Sequence, residues 1–90
     1  MYQIEQTGKF KKDIKLAKKR GLDMRLLDEV VTRLVESGTP PPKNKPHKLT
    51  GNYQGFWECH IQSDWLLVWK QDDAIRLITL TRTGTHSDFF

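Results

Sequence analysis

The sequence predicts an α+β domain of order β-α-α-β-β-β, a helical hairpin packed on one face of a small, curved, antiparallel sheet whose other face is left for binding. Three observations carry this. Apolar residues recur at three- and four-residue intervals between Phe10 and Leu34; the run Pro40-Pro41-Pro42 then forbids further helix; and three segments rich in aromatic and branched residues follow, separated by short polar turns. Ninety residues make a single domain spanning 1–90, because so short a chain buries only roughly 60–65% of its surface and cannot divide that between two cores.

The opening Tyr2 to Gln6 alternates as a short strand. Thr7 then caps a first helix in which Phe10, Ile14 and Ala17 form the apolar stripe and Lys11, Lys12, Lys15, Lys18 and Lys19 fill the other face, up to Arg20 and Gly21. Asp23 caps a second helix built on Leu27, Val30, Val31 and Leu34 and stopped by Gly38 and the prolines. From Pro40 to Pro46 the chain is a loop rich in proline and lysine. Gly55 to Ile61, Trp65 to Lys70 and Ala74 to Arg82 read as strands joined through Gln62-Ser63-Asp64 and Gln71-Asp72-Asp73. Connections this short imply an antiparallel meander, since parallel neighbours need a crossover of about a dozen residues or more.

Composition narrows the class. Hydrophobic residues at 37% with charged ones at 29% suit a folded globule and argue against disorder. A lone cysteine, Cys59, excludes an internal disulfide and any Cys-x-x-Cys site and points to a reducing compartment. The first residues have neither the basic start nor the apolar stretch of a signal peptide, and no run is long enough to span a bilayer, so a cytoplasmic protein without membrane partners is expected. Fifteen Lys and Arg against eleven Asp and Glu leave a net charge of +4, which favours an anionic partner.

All three histidines, His47, His60 and His86, fall in the second half, and histidine is the side chain best suited to exchange protons near neutral pH. Strand alternation puts Phe56, Glu58 and His60 on one face and Trp57, Cys59 and Ile61 on the core side, leaving His60 outward with Glu58. Asp64 follows His60 across a turn and precedes Trp65, so that a carboxylate, an imidazole and an aromatic ring can meet at one edge; a plain turn role for Asp64 is the alternative. The tail from Arg82 to Phe90 concentrates a guanidinium, the hydroxyls of Thr83 and Thr85, an imidazole and two phenylalanines, groups that bind phosphate and bases, although terminal aromatics also serve to anchor a chain end. A zinc site from His47, His60, His86 and Asp64 has suitable ligand types but no compact paired spacing, and neither a metal nor a small-molecule cofactor is expected.

Three stretches, His47-Lys48-Leu49-Thr50-Gly51, Glu58 to Val68, and Arg82-Thr83-Gly84-Thr85-His86, together resemble the YafQ branch of the RelE/ParE toxin superfamily. The resemblance rests on motif over 47–90 and on helix pattern, size and proline placement before that. It implies an mRNA interferase that cleaves messenger RNA in the ribosomal A site and is silenced by a cognate antitoxin. Carried across, the family's catalytic positions fall on His47, His60, Asp64 and His86, with Trp65 and a late phenylalanine at Phe90, next to Phe89, as base-stacking groups. Lys48 and Ser63 stand where proline is usual, which alters loop geometry and removes no reactive group. On this reading RNA is cut without metal by attack of its own 2′-hydroxyl. His86 is the general acid, His60 with Asp64 the base side, and His47 with Arg82 stabilises the phosphate; Trp65, Arg82, Thr83, Thr85 and Phe90 bind substrate. The lysines Lys11, Lys12, Lys15, Lys18 and Lys19 are expected to hold the ribosome, with an antitoxin contact or plain solvation as alternatives. A ParE-like toxin that blocks DNA gyrase by protein contact is the competing function, disfavoured because a binding module needs no proton-transfer groups.

Overall fold

The computed structural model describes residues 1–89. In chain order they form β1 (Gln3–Gln6), α1 (Gly8–Lys19), α2 (Met24–Ser37), β2 (His47–Lys48), β3 (Phe56–Gln62), β4 (Trp65–Asp72), β5 (Leu77–Gly84) and α3 (His86–Phe89), with single 3₁₀ turns at Pro42–Asn44 and Gly51–Tyr53.

Local chemistry sets the helix ends where the sequence places them. Thr7 Oγ1 accepts from the Phe10 N–H and donates to the Thr81 carbonyl, so the cap also ties α1 to β5. Asp23 caps α2 through the Arg25 N–H, and Gly38 closes it in the left-handed conformation at φ 75°. A side chain at Gly38 would collide with the Tyr2 ring at 2.7 Å, so close packing as well as φ calls for glycine.

The five strands are ordered β1-β5-β4-β3-β2. The meander β3-β4-β5 is antiparallel as expected, but β1 joins its edge parallel to β5, so the sheet is mixed rather than purely antiparallel. No short connection constrains β1, which reaches β5 only through the rest of the chain. A further two-residue strand, β2, pairs with β3 at the opposite edge and carries His47. The third meander strand begins at Leu77 rather than Ala74, because Asp72 Oδ1 accepts the N–H groups of Ala74 and Ile75 and holds them in a turn. Register shifts at His60/Gln62 and Val68/Trp69 bend the sheet.

Both long helices cover one sheet face. Phe10, Ala17, Leu27, Val30 and Leu34 from the helices meet Cys59, Ile61, Trp65, Leu67, Trp69, Ile78 and Leu80 from the strands in one core. Central strand β4 is buried from Trp65 to Trp69 on both its faces, which explains its unbroken apolar run. Leu66 and Val68 point away from the helices, yet they too are buried, beneath the groups that make up the site.

Candidate active site

Pairing of the strands gathers the chemistry on the sheet face opposite the helices. Glu58 and His60 of β3 lie opposite Val68 and Leu66 of β4, which lie opposite Arg82 and Gly84 of β5. His47 in β2 is directly opposite Glu58. Gly84 ends β5, and after the single residue Thr85, His86 opens α3. The three imidazoles therefore form a row with His60 in the middle, its ring 6.3 Å from that of His47 and 6.1 Å from that of His86.

Each outer histidine has its own carboxylate. His47 Nδ1 lies 3.0 Å from the Lys45 carbonyl and Nε2 lies 3.2 Å from Glu58 Oε1. A carbonyl only accepts, so Nδ1 carries a hydrogen and Nε2 is the nitrogen that faces the Glu58 carboxylate, an ion pair whenever the imidazole is protonated. Glu58 was expected outward and is instead buried, only 5% exposed, because β2 and His47 close over it. Its Oε2 is buried with no hydrogen-bond partner among the described residues, which carries a desolvation cost.

His86 is bound to Asp64 twice, by its backbone N–H at 3.2 Å and by Nδ1 at 3.0 Å. Those two bonds, the imidazole first, hold the Asp64 carboxyl below the usual carboxylate range. Asp64, which the sequence pattern puts beside His60, pairs with His86 instead: the β3-β4 turn projects it past His60 toward the end of β5, where the Leu66–Gly84 register brings α3 alongside.

Two expected substrate groups belong to the core. Trp65 is 2% exposed and its Nε1–H donates to Thr83 Oγ1 at 2.9 Å, so no ring face is offered to a base. Thr83, equally buried, donates that hydroxyl to the Leu66 carbonyl at 2.7 Å and has nothing left for a substrate. Both lie on the helix side of the sheet, since the strand pattern runs through the tail motif without a break. Thr85 is half-buried with its N–H on Asp88. Phe90 lies outside the described residues.

Arg82 faces the site but is held by Asp13, which accepts from Nε at 2.7 Å, from Nη2 at 3.2 Å and from the Thr83 N–H. Its guanidinium also lies 4.9 Å from the Phe89 ring centroid. A second clasp joins Arg20 to Asp88 by two hydrogen bonds, and Asp88 also receives the Thr85 N–H. Sequence reasoning missed Asp13, Arg20 and Asp88; the one carboxylate in an otherwise lysine-rich helix was the available signal. Lys11, Lys12, Lys15, Lys18 and Lys19 are all exposed and none is in an ion pair among the described residues. Cys59 is an inert core thiol, pushed up to about 12 by burial.

A helix-backed mixed sheet presenting three imidazoles and two paired carboxylates on its open face defines the chain as a bacterial toxin of the type II toxin–antitoxin class. It belongs to the YafQ family: the family described as "bacterial toxin of type II toxin-antitoxin system, YafQ" matches residues 2–90. The mRNA interferase toxin YafQ of Escherichia coli K12 is 40% identical over 88 residues, covering 97% of this chain and 94% of that protein. Among solved structures, YafQ from Escherichia coli BL21(DE3) matches with a TM-score of 0.91 at 37% identity, over 100% of this chain and 99% of that one. The Escherichia coli DinJ–YafQ toxin–antitoxin complex gives 0.89 at 39%, over 99% and 97%. A metal-bound toxin from Helicobacter pylori gives 0.90 at 40%, over the whole of both chains.

Proposed function

We infer that this chain is the toxin of a type II pair and an mRNA endoribonuclease, acting on ribosome-bound messenger and restrained by a cognate antitoxin. The observation that carries the reading is the row His47, His60, His86 with a carboxylate at each end. Self-cleavage of RNA needs a base for the 2′-hydroxyl, an acid for the departing 5′-oxygen and positive charge on the crowded phosphoryl group. His60, central and with no carboxylate against its ring among the described residues, takes the 2′-hydroxyl proton as the oxygen attacks phosphorus. His86, aligned by Asp64, gives a proton to the 5′-oxygen as its bond to phosphorus breaks, leaving a cyclic phosphate and a 5′-hydroxyl. His47, facing Glu58 at one side of the row, stabilises the charged intermediate when protonated, and Arg82, three strands away in β5 and held by Asp13, adds its positive charge from the other side.

The exposed lysines of α1 supply an electrostatic grip on ribosomal RNA, and the same charge attracts an acidic antitoxin segment. The antitoxin partner follows from family membership and from the DinJ complex of the Escherichia coli relative. Messenger on ribosomes places the protein in the cytoplasm; no helix among the described residues is long and apolar enough to cross a membrane.

The test is incubation with purified ribosomes carrying a defined messenger, with product ends mapped. Internal cuts bearing cyclic phosphate are expected. Toxin treated with a tight chelator and desalted before assay should cut at an unchanged rate, because every proton transfer is assigned to a side chain. Intact messenger alongside inhibited DNA supercoiling would overturn the reading in favour of gyrase blockade, and activity restored only by added zinc would overturn the metal-free chemistry.

A further inference from the structure

Toward the far end of β3, on the same face as the histidines, stands a group that the cleavage chemistry does not use. Phe56 and Lys70 are directly opposite in the β3-β4 register, with Lys70 Nζ 5.2 Å from the centroid of the Phe56 ring. The Tyr53 ring meets Phe56 edge-on, at 6.3 Å and 74°. Lys70 is exposed and, among the described residues, is in no ion pair, whereas Arg82, the other cation that β3 to β5 turn to this face, is occupied by Asp13.

We propose that Phe56 and Lys70 form a nucleotide subsite for the RNA strand running off the histidine row, the Phe56 ring stacking on a base and Lys70 binding the adjoining phosphate. This rests on the endoribonuclease reading above and names part of its substrate contact. Phe56 is four residues from His60, about 13 Å along a strand, a distance that a stretched single strand covers in a couple of nucleotides. The subsite therefore holds a near neighbour of the scissile phosphate rather than the scissile nucleotide itself. A ring with a flexible cation above it suits this role, because a phosphate draws the ammonium aside and the face it leaves accepts a base, which stacks whatever its identity. Tyr53 walls one edge. At the other end Asp72, on the same face of β4 two residues beyond Lys70, places a carboxylate that repels further phosphate and ends the tract.

The experiment uses the full chain and fluorescein-labelled pentanucleotides with 2′-O-methyl groups throughout, so that nothing is cut, read by anisotropy. One set lacks a single base at each position in turn. For wild type, one abasic position other than the central one should weaken binding about tenfold. In Phe56→Leu, which keeps an apolar side chain and should fold normally by circular dichroism, the complete oligonucleotide should bind about tenfold more weakly and that abasic penalty should vanish. Phe56→Trp should restore both. Independently, Lys70→Gln at an exposed position should flatten the plot of log affinity against log salt by about 0.7. The subsite is overturned alone if wild type cuts ribosome-bound messenger while the abasic penalties are the same in Phe56→Leu, or while it binds none of the oligonucleotides, or if Phe56→Leu weakens only antitoxin capture. If wild type neither binds nor cuts RNA, the endoribonuclease reading falls and the subsite with it.

Discussion

Asp64 and Glu58 are carboxylates of unlike setting that do similar work. Asp64 is 64% exposed in its side chain and His86 54%, so their bond owes more to geometry than to energy: the backbone and the ring nitrogen of one residue converge on a single carboxylate oxygen. The Asp64 carboxyl lies below its usual value, so its contribution is present above an unfolded value of about 3.9 and fades as pH falls through the lower folded one. The side-chain carboxyl carbon of Asp64 should accordingly show its own titration only in acid, below about pH 4. His86→Gln keeps polarity but cannot cycle a proton, and single-turnover cleavage should fall about 10²- to 10⁴-fold with an unchanged melting temperature. Retention of a tenth or more of the rate would send the search for the acid to His47. At the other end of the row, Glu58→Gln preserves shape and removes the negative charge 3.2 Å from His47 Nε2. Cleavage should drop by up to about 10²-fold, the scale of losing one stabilising donor, while thermal unfolding changes by about 1 kcal/mol. Equal loss in rate and in folded fraction would mean that Glu58 is merely structural. The strand alternation put Glu58 beside His60 in the sequence, but its burial depends on β2, which two residues of sequence do not announce.

The element that carries His86 is a four-residue helix, too short to hold itself. It is secured by the Arg20–Asp88 clasp, reinforced by the Thr85 N–H, by the Arg82 guanidinium that Asp13 holds 4.9 Å from the Phe89 ring, and by the tight approach of Asp88 to Gly84, where an added Cβ would meet Asp88 Oδ2 at 2.5 Å. The bond from Arg20, then that from the Thr85 N–H, hold the Asp88 carboxyl far below its usual range, so this clasp persists well into acid and is lost only as pH falls through that depressed value. Asp88→Asn should therefore loosen α3 without unfolding the sheet. Hydrogen exchange at the His86 amide should quicken and cleavage should slow, while global stability changes by about 1 kcal/mol or less, as for other partly exposed pairs. Unchanged exchange would show that α3 is held by other contacts. The boundaries of α1, α2 and the meander were legible because caps, prolines and turn residues act locally; the clasps join residues 68 to 70 apart in sequence, and no local pattern records them.

At the scale of the molecule, the sheet separates two roles. One face is sealed by the helices, the other carries the histidine row, and the lysines of α1 look outward from the sealed side. Reversing Lys11, Lys15 and Lys18 to glutamate should weaken ribosome association and flatten its salt dependence, by roughly 0.7 to 0.9 in slope for each phosphate no longer bound, and should leave the rate at saturating ribosome nearly as it was. An unaltered slope would return this face to solvation or to the antitoxin.

The sequence by itself determined the α+β class, the helical hairpin, the antiparallel meander and the identity of the three histidines, because periodicity, caps and turn chemistry are written into near neighbours. Tertiary structure alone decided that β1 closes the sheet in parallel, that Asp64 serves His86 rather than His60, that Glu58 is buried against His47, and that Trp65 and Thr83 belong to the core. Each of these depends on register and on which face a residue takes, and a shift of one residue along a strand exchanges the two faces.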